Sequence, residues 1–226
     1  MIPYSRIEVT RISNQDCFRV KTDTATVITD PGFIGVFDDQ HFPVSSLQKA
    51  SLILISHHHF DHLQPELLKA LSDQNTVICA TEKCVGMTDL PLTIVKPGDA
   101  YTFGDVKVKV VDAYNTPEGR SNPKNHHQGE CVGYVFWING KRFYFAGDTD
   151  VIPQMKDLGP IDVAMLPIGG TYVMDAQEAV EAAKLIKPFL VLAMHQMKSD
   201  PLIFKKLITA ENIPMVYLNP GENFVI

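Results

Sequence analysis

The chain has 226 residues, of which 45% are hydrophobic and 20% are charged, as expected for a globular protein with a sizeable core. Its formal net charge of −6 lacks the basic excess that neutralises phosphates, so nucleic acid is disfavoured as a partner. The N-terminus has no signal-peptide pattern and no apolar run approaches the roughly 20 residues that cross a bilayer, so we expect a cytoplasmic protein without membrane association.

Short strands dominate the first half of the chain. The apolar run over residues 51–55 predicts a buried strand that leads into the sequence SHHHFDH. A helix is predicted over 63–71, where Pro65 lies in the first turn and its missing N–H costs little. The other segments of this half predicted to contain strands are 6–12, 17–22, 24–31, 76–87 and 92–115.

The second half repeats this plan. Residues 131–150 predict a hairpin that turns at Asn139-Gly140, a pair suited to the positive φ angles of a type I′ turn. A helix is predicted to begin at Asp175, because Glu178 three residues later completes a capping box. The other predicted elements of this half are a strand over 161–170, a strand over 189–195 that ends at His195, and an α/β unit over 201–222.

Strands followed by helices in each half predict an α/β fold (α+β in its strand-rich parts), arranged as a four-layer αββα sandwich. Two packed β-sheets would form its centre, with helices on the outside. We expect a single domain over residues 1–226, made of two similar halves of about 1–100 and 101–226, because no linker or low-complexity segment divides the chain.

A histidine cluster at the end of the buried strand carries the main functional signal. Four of the eight histidines lie between residues 57 and 62, beside an aspartate. His57 and His59 project to the same side if the strand end stays extended, and Asp61 and His62 begin the following turn. Imidazole nitrogens and carboxylate oxygens bind divalent first-row metals at about 2.0–2.2 Å. A solvated histidine run would not follow a buried strand, so the cluster predicts a metal site.

This pattern resembles the metallo-β-lactamase-fold superfamily of metal-dependent hydrolases. The resemblance rests on His57-x-His59-x-Asp61-His62, on Asp148 in the sequence AGDTD, and on His195 at a strand end. The sequences TDP, the histidine motif, AGDTD, PIGG and AMH also follow the order that the superfamily shows. Within the superfamily, the chain most resembles the small stand-alone branch, which includes ascorbate-6-phosphate lactonase-like proteins and uncharacterised hydrolases. This resemblance rests on the length of the chain and on the sequences ITDPG and PIGGTYVMDAQEA.

The resemblance implies roles for these residues. His57 and His59 would hold a first metal ion, and Asp148 would bridge it to a second. The further ligands of the second ion would be Asp61, His62 and His195. Asp61, His62 and Asp148 would be the catalytic residues, and Asp61 could act as general base if one ion is bound. One or two divalent ions are implied, with Zn favoured and Mn or Fe as alternatives, because the ligands are all nitrogen and oxygen. The four cysteines form no CxxC pair and are predicted to be reduced core thiols.

One expected ligand is absent from its usual place. The superfamily's third histidine for the first metal follows a strand in mid-chain, where this chain has Asn115. We favour His126 as its replacement, because a strand begins soon after it, and keep His127 as an alternative. Both could also be solvated, which would leave the site one ligand short. Asp30 is expected to orient a ligand histidine or fix a turn. The histidines not assigned to the site are His41 and His58.

The predicted function is hydrolysis of an ester, a lactone or a related bond in a small metabolite by metal-activated water. A phosphate group on that metabolite could bind residues 169–175 and the following helix N-terminus, with Tyr172 and Lys198 nearby. A tight loop that needs glycine is the alternative for this segment. The alternative functions are a phosphodiesterase or nuclease and a non-catalytic metal-binding interaction protein. The sequence does not decide the oligomeric state.

Overall fold

Two stacked β-sheets form the centre of the structure, a computed structural model that describes residues 6–33 and 48–226. His41, which we did not assign to the site, lies outside the described residues. The strands of the first sheet are β1 (Glu8–Arg11), β2 (Phe18–Lys21), β3 (Thr26–Thr29), β4 (Leu52–Leu54), β5 (Val77–Ala80), β6 (Thr93–Ile94) and β14 (Asn223–Val225). Their order across the sheet is β14-β1-β2-β3-β4-β5-β6.

The second sheet contains the strands between β6 and β14. These are β7 (Ala100–Phe103), β8 (Val106–Ala113), β9 (Cys131–Ile138), β10 (Lys141–Phe145), β11 (Val163–Pro167), β12 (Leu190–Met194) and β13 (Met215–Val216). Their order is β13-β12-β11-β10-β9-β8-β7. Both sheets are mixed: β3 to β6 and β10 to β13 pair in parallel, and the other neighbours pair antiparallel.

Helices cover the outer faces of the two sheets. Helix α1 (Pro65–Leu71) packs on the first sheet, and α2 (Ala176–Ile186) and α3 (Pro201–Ala210) pack on the second. Strand β4 and its extension show how both sheet faces are filled: Leu52 and Leu54 point into the core between the sheets, and Ile53 and Ile55 point toward α1. The structure therefore confirms the predicted αββα sandwich.

Several local predictions are confirmed. Asp175 accepts hydrogen bonds from the N–H groups of Gln177 and Glu178, and the Glu178 carboxylate accepts one from Asp175 N, which completes the capping box. Asn139 and Gly140 have φ angles of +48° and +75° at the hairpin turn. All four cysteines are free and buried. In the described ranges, no helix combines the length and apolar character that crossing a membrane requires.

The last strand was not predicted. The sequence indicated a final α/β unit over 201–222, but the chain continues into β14 and returns to the first sheet. There β14 pairs antiparallel with β1, with Glu8 opposite Val225. The first sheet therefore contains strands from both ends of the described chain.

Arg11 is fully buried, although arginine is almost never so in globular proteins unless its charge is paired. Its guanidinium donates five hydrogen bonds, to the carbonyls of Ser13, Asn14, Gln15 and Leu218 and to the side-chain oxygen of Gln196. It also lies 5.6 Å and 5.1 Å from the ring centroids of Phe18 and Tyr217. Arg11 thus joins the β1–β2 loop to the segments that follow β12 and β13.

Candidate metal centre

The candidate ligands converge at one edge of the two sheets, where the parallel strands end. The segment His57–His62 follows β4, Asp148 follows β10 and His195 follows β12. Gly147, with φ +63°, brings the turn before Asp148 close to the end of β4: a Cβ added there would lie 2.9 Å from Ser56 Cβ. Only glycine allows this backbone angle together with so close an approach.

The first group of donors consists of His57, His59 and His126. His59 Nδ1 lies 2.9 Å from His57 Nε2 and 3.2 Å from His126 Nε2. The three donor atoms all lie within 4.8 Å of one another. Since each imidazole binds a first-row metal at about 2.0–2.1 Å, this group could hold one divalent ion.

The second group consists of Asp61, His62 and His195. Asp61 Oδ2 lies 3.5 Å from His62 Nε2 and 3.7 Å from His195 Nε2. The two imidazole rings are stacked with their centroids 5.4 Å apart and are buried, whereas the Asp61 side chain is 14% exposed. This group could hold a second divalent ion and leave one side open to solvent.

Asp148 lies between the two groups. Its Oδ2 is 3.2 Å from His126 Nε2 and 4.0 Å from His57 Nε2 on the first side. On the second side the same oxygen is 3.4 Å from His62 Nε2 and 3.3 Å from His195 Nε2. A single carboxylate oxygen therefore faces four imidazoles from both groups, as a bridging ligand would.

Burial and charge act on the pKa values of this cluster in opposite directions. Burial alone would raise the pKa of Asp148, but the neighbouring imidazoles, first that of His195, hold it well below its ordinary value. Burial alone would lower the pKa of His195, but Asp148 raises it to about 10. In the first group, burial lowers the pKa of His57 well below its ordinary value and that of His59 to about 4. Imidazoles bind metals in the neutral form, and these two rings are held in that form.

Asp30 holds one ligand histidine in place, as predicted. Its Oδ2 lies 2.7 Å from His62 Nδ1, so Nδ1–H donates to it and His62 Nε2 faces the cluster. Ser56 fixes Asp30 in turn, with backbone N 2.6 Å from Oδ1 and the hydroxyl 2.5 Å from Oδ2. The Ser56 hydroxyl also lies 2.8 Å from His57 Nδ1. A carboxylate on the outer nitrogen of a ligand histidine is the usual support of a protein metal site.

The donors fit a divalent metal. Asp148 Oδ1 and His62 Nε2 are buried and accept or donate no hydrogen bond within the described chain. Buried polar atoms are almost always satisfied, and a cation between the two groups would satisfy His62 Nε2. The ligand set of imidazoles and carboxylates is also the one that Zn²⁺, Mn²⁺ and Fe²⁺ share.

Asn115 holds the loop that carries His126. Its Oδ1 accepts hydrogen bonds from the backbone N–H groups of Asn125 at 3.0 Å and His126 at 2.9 Å. Its Nδ2 donates to the Tyr172 carbonyl at 2.8 Å and to the buried Asp150 at 3.3 Å. His126 Nδ1 lies 3.1 Å from the same Tyr172 carbonyl, which turns its Nε2 toward Asp148. The residue at the expected histidine position thus positions the replacement histidine.

His127 is exposed, whereas His126 is 1% exposed. Substituting His126→Ala is expected to remove about one metal equivalent per chain, because the first group keeps only two imidazoles. His127→Ala, the matched control, should leave the metal content unchanged. Plasma mass spectrometry of the two purified variants checks this, and equal metal contents would contradict the assignment of His126.

Two further residues at the cluster had no signal in the sequence. Gln15 and Asp16 lie in the loop between β1 and β2, whose sequence SNQDC is typical of an ordinary turn. Gln15 Nε2 lies 3.0 Å from Asp61 Oδ2, and Asp16 Oδ2 lies 3.9 Å from His62 Nδ1. Burial raises the pKa of Asp16 to about 7. A multiple alignment could have shown these positions; a single sequence could not.

A cavity of about 340 Å³ opens onto the cluster. The candidate ligands that line it are His59, Asp61, His126, Asp148 and His195. Its other walls are Phe60, Asn125, Tyr172 and Met197. Phe60 is 64% exposed, although it stands between two candidate ligands in the chain. The cavity therefore combines a polar floor with a largely apolar rim.

The geometry does not support the predicted phosphate site at residues 169–175. Two of the first N–H groups of helix α2, those of Gln177 and Glu178, already donate to the Asp175 side chain, so these two are not available to an anion. Lys198 is exposed and is not among the residues that line the cavity. Tyr172 does line the cavity. Its backbone has a φ of +66°, and its carbonyl oxygen lies within hydrogen-bond distance of Asn115 Nδ2 and His126 Nδ1.

Comparison with known proteins agrees with this site. The model of the β-lactamase superfamily domain matches residues 11–195. A UPF0173 metal-dependent hydrolase of Desulforamulus reducens is 32% identical over 221 residues, which cover 91% of this chain and 94% of the relative. A UPF0173 metal-dependent hydrolase of Pyrococcus furiosus is 35% identical over 192 residues, which cover 78% of this chain and 81% of the relative.

Solved structures share the fold over almost the whole chain. One, described as a metal-dependent hydrolase from Parabacteroides distasonis, superposes with a TM-score of 0.82 at 29% identity and covers 95% of this chain and 94% of that chain. A metallo hydrolase from Ignicoccus hospitalis gives a TM-score of 0.75 at 22% identity over 98% of both chains. The second likeness concerns the fold alone.

Proposed function

The chain belongs to the β-lactamase superfamily and, within it, to the UPF0173 metal-dependent hydrolases; from this premise we propose that it cleaves an ester or lactone bond of a small molecule with two divalent metal ions. The position of Asp148 Oδ2, between both donor groups and on the floor of the cavity, carries the proposal. Zn²⁺ is the favoured ion, with Mn²⁺ or Fe²⁺ as alternatives.

Each donor group would hold one ion, and Asp148 would contact both. The ligands proposed for the first ion are His57, His59 and His126, and those for the second are Asp61, His62 and His195. When bound, such ions lower the pKa of a water molecule and polarise the scissile bond. Asp148 sets the separation of the two groups, and Asp30 holds His62 with Nε2 toward the centre.

Asp61 is the candidate for moving the proton. Its carboxylate lines the cavity and is partly exposed. Burial alone would raise the pKa of Asp61, but the neighbouring imidazoles of His195 and His62 hold it below its ordinary value. The group is therefore ionised at neutral pH and can accept a proton from the attacking water or pass it to the leaving oxygen.

The substrate is proposed to be small, uncharged and partly apolar. Phe60, Tyr172 and Met197 form the apolar part of the cavity wall, and the lining residues in the described part of the chain include no lysine or arginine. A volume of about 340 Å³ suits a small organic molecule. A cavity that recognised a phosphorylated metabolite or a nucleic acid would present cations or free backbone N–H groups to the phosphates.

The test is to purify the untagged protein without chelator, measure its metal content and assay four substrates of matched concentration. These are a neutral aryl ester, a neutral lactone, a phosphodiester and single-stranded DNA. We expect about two metal equivalents per chain and turnover of the ester or the lactone. Turnover of the phosphodiester alone would reject the substrate assignment. One equivalent would reject the two-ion site, and none after reconstitution would reject the function.

A further inference from the structure

Gln15 contacts the second donor group but is not among the residues that line the cavity. Its side-chain nitrogen lies 3.0 Å from Asp61 Oδ2, 3.2 Å from His195 Nε2 and 3.7 Å from Met197 Sδ. Gln15 is 2% exposed and does not line the cavity. It therefore reaches the candidate ligands without reaching the substrate.

The backbone of Gln15 is fixed by its neighbours. Its carbonyl accepts a hydrogen bond from Arg11 Nη2 at 3.2 Å, and its N–H donates to the Ser13 hydroxyl at 3.3 Å. The same Arg11 nitrogen donates to the side chain of Gln196 at 2.6 Å. Because Gln196 follows His195 in the chain, Arg11 ties the loop that carries Gln15 to the segment that carries this ligand.

Only one of the two short contacts of the amide persists when an ion is bound. The lone pair of His195 Nε2 then points at the ion and cannot accept a hydrogen bond from Gln15. Asp61 Oδ2 has further lone pairs and can accept the N–H while it binds the ion. Among the described residues, Gln15 is the group outside the two ligand sets that hydrogen-bonds the Asp61 carboxylate.

We propose that Gln15 is a positioning residue of the second metal subsite, which it serves by holding Asp61 Oδ2 toward His62 and His195. This inference rests on the proposed two-ion site. A ligand carboxylate that is fixed by a hydrogen bond loses less freedom when the ion binds, and loss of such an outer partner lowers metal affinity about 10- to 100-fold. Loss of the Gln15 amide should leave the first subsite unaffected, since the candidate ligands that it contacts, Asp61 and His195, both belong to the second.

The experiment measures Zn²⁺ affinity by competition with a chromophoric chelator in two backgrounds. His59→Ala weakens the first subsite and leaves the second to be titrated, and Asp61→Ala does the reverse. Adding Gln15→Met, which keeps the side-chain length without the amide, should lower Zn²⁺ affinity about 10- to 100-fold in the first background. In the second background it should change the affinity less than about twofold.

Two controls keep the outcome clear. Gln154→Met removes a half-buried amide that bonds Tyr114 instead of the cluster, and it should change neither affinity. Gln15→Asn keeps the amide but is one methylene too short to reach Asp61, so it should also lower the Zn²⁺ affinity of the second subsite. This variant tests the proposal even if Gln15→Met folds poorly. Equal losses in both backgrounds, or none in either, would overturn the role of Gln15. A wild-type protein that binds fewer than two Zn²⁺ would instead count against the proposed function.

Discussion

Asp148→Asn is expected to lower the bound metal from about two equivalents to fewer than one and to slow hydrolysis about 1000-fold or more. The substitution keeps the side-chain volume but removes the negative charge from the oxygen that faces four imidazoles at 3.2 to 4.0 Å. On the proposed two-ion site, neither donor group would keep its shared ligand, and the two ions would lose the negative charge that lies between them. Metal analysis and initial rates on the same preparation check the result.

Asp162→Asn is the matched control for this variant. Asp162 is a partly exposed carboxylate that bonds Lys141 and the backbone N–H of Arg142. The Asp162→Asn variant should keep the metal content and the hydrolysis rate of the wild type. Full metal content in Asp148→Asn would mean that Asp148 is not a ligand. If the variant kept both ions but hydrolysed the substrate more slowly, the role of Asp148 would be limited to the chemical step.

Arg11→Met is expected to lower the free energy of unfolding by roughly 3–5 kcal/mol. Four backbone carbonyls and one side-chain amide lose their donor, and a buried acceptor left without a partner costs about 1–3 kcal/mol. The loss should be visible in urea denaturation of the metal-free protein, so that metal release does not contribute.

Arg19→Met provides the comparison for Arg11. Arg19 lies on the neighbouring strand β2; within the described ranges it pairs with Glu8 at 2.8 Å and donates a hydrogen bond to the Thr10 hydroxyl at 3.1 Å. Since the Glu8 side chain is 29% exposed, Arg19→Met should cost less than about 1 kcal/mol. A similar loss in both variants would show that the five hydrogen bonds of Arg11 do not contribute as argued.

The centre of the site could be predicted because its residues are neighbours in the chain. His57 to His62 follow a buried strand directly, so one local pattern predicts both the strand end and the donors. Asp148 and His195 also follow strands that are recognisable from their apolar runs. Parallel strands end at a common edge, and this brings the three segments together without any knowledge of the loops.

Apart from Asp30, the supporting residues could not be predicted, because their contacts join distant positions. Asn115 accepts a hydrogen bond from the backbone N–H of His126, 11 positions away in the chain. Asp150 accepts one from the backbone N–H of Thr116, 34 positions away. Gln15 is 46 positions from Asp61. A short polar loop has the same composition whether it faces solvent or another loop, so its sequence does not indicate its partner.

The predicted phosphate site is not supported by the geometry, for a related reason. Glycines before a helix N-terminus are typical of anion sites, but Asp175 and Glu178 complete a capping box at the same place. The capping box was itself predicted, and it uses the N–H groups that an anion would need. The two interpretations of one segment therefore excluded each other, and the hydrogen bonds of Asp175 decide between them.

The return of β14 to the first sheet also sets the order in which the protein can mature. Translation proceeds from the N-terminus, so Asn223–Val225 leave the ribosome after every candidate ligand, His195 included. Until β14 has emerged, β1 lacks this neighbouring strand, and the Leu218 carbonyl is not yet in place to accept its hydrogen bond from Arg11. A nascent chain that already displays the His57–His62 segment therefore still lacks β14, and we expect stable metal loading to follow the emergence of β14.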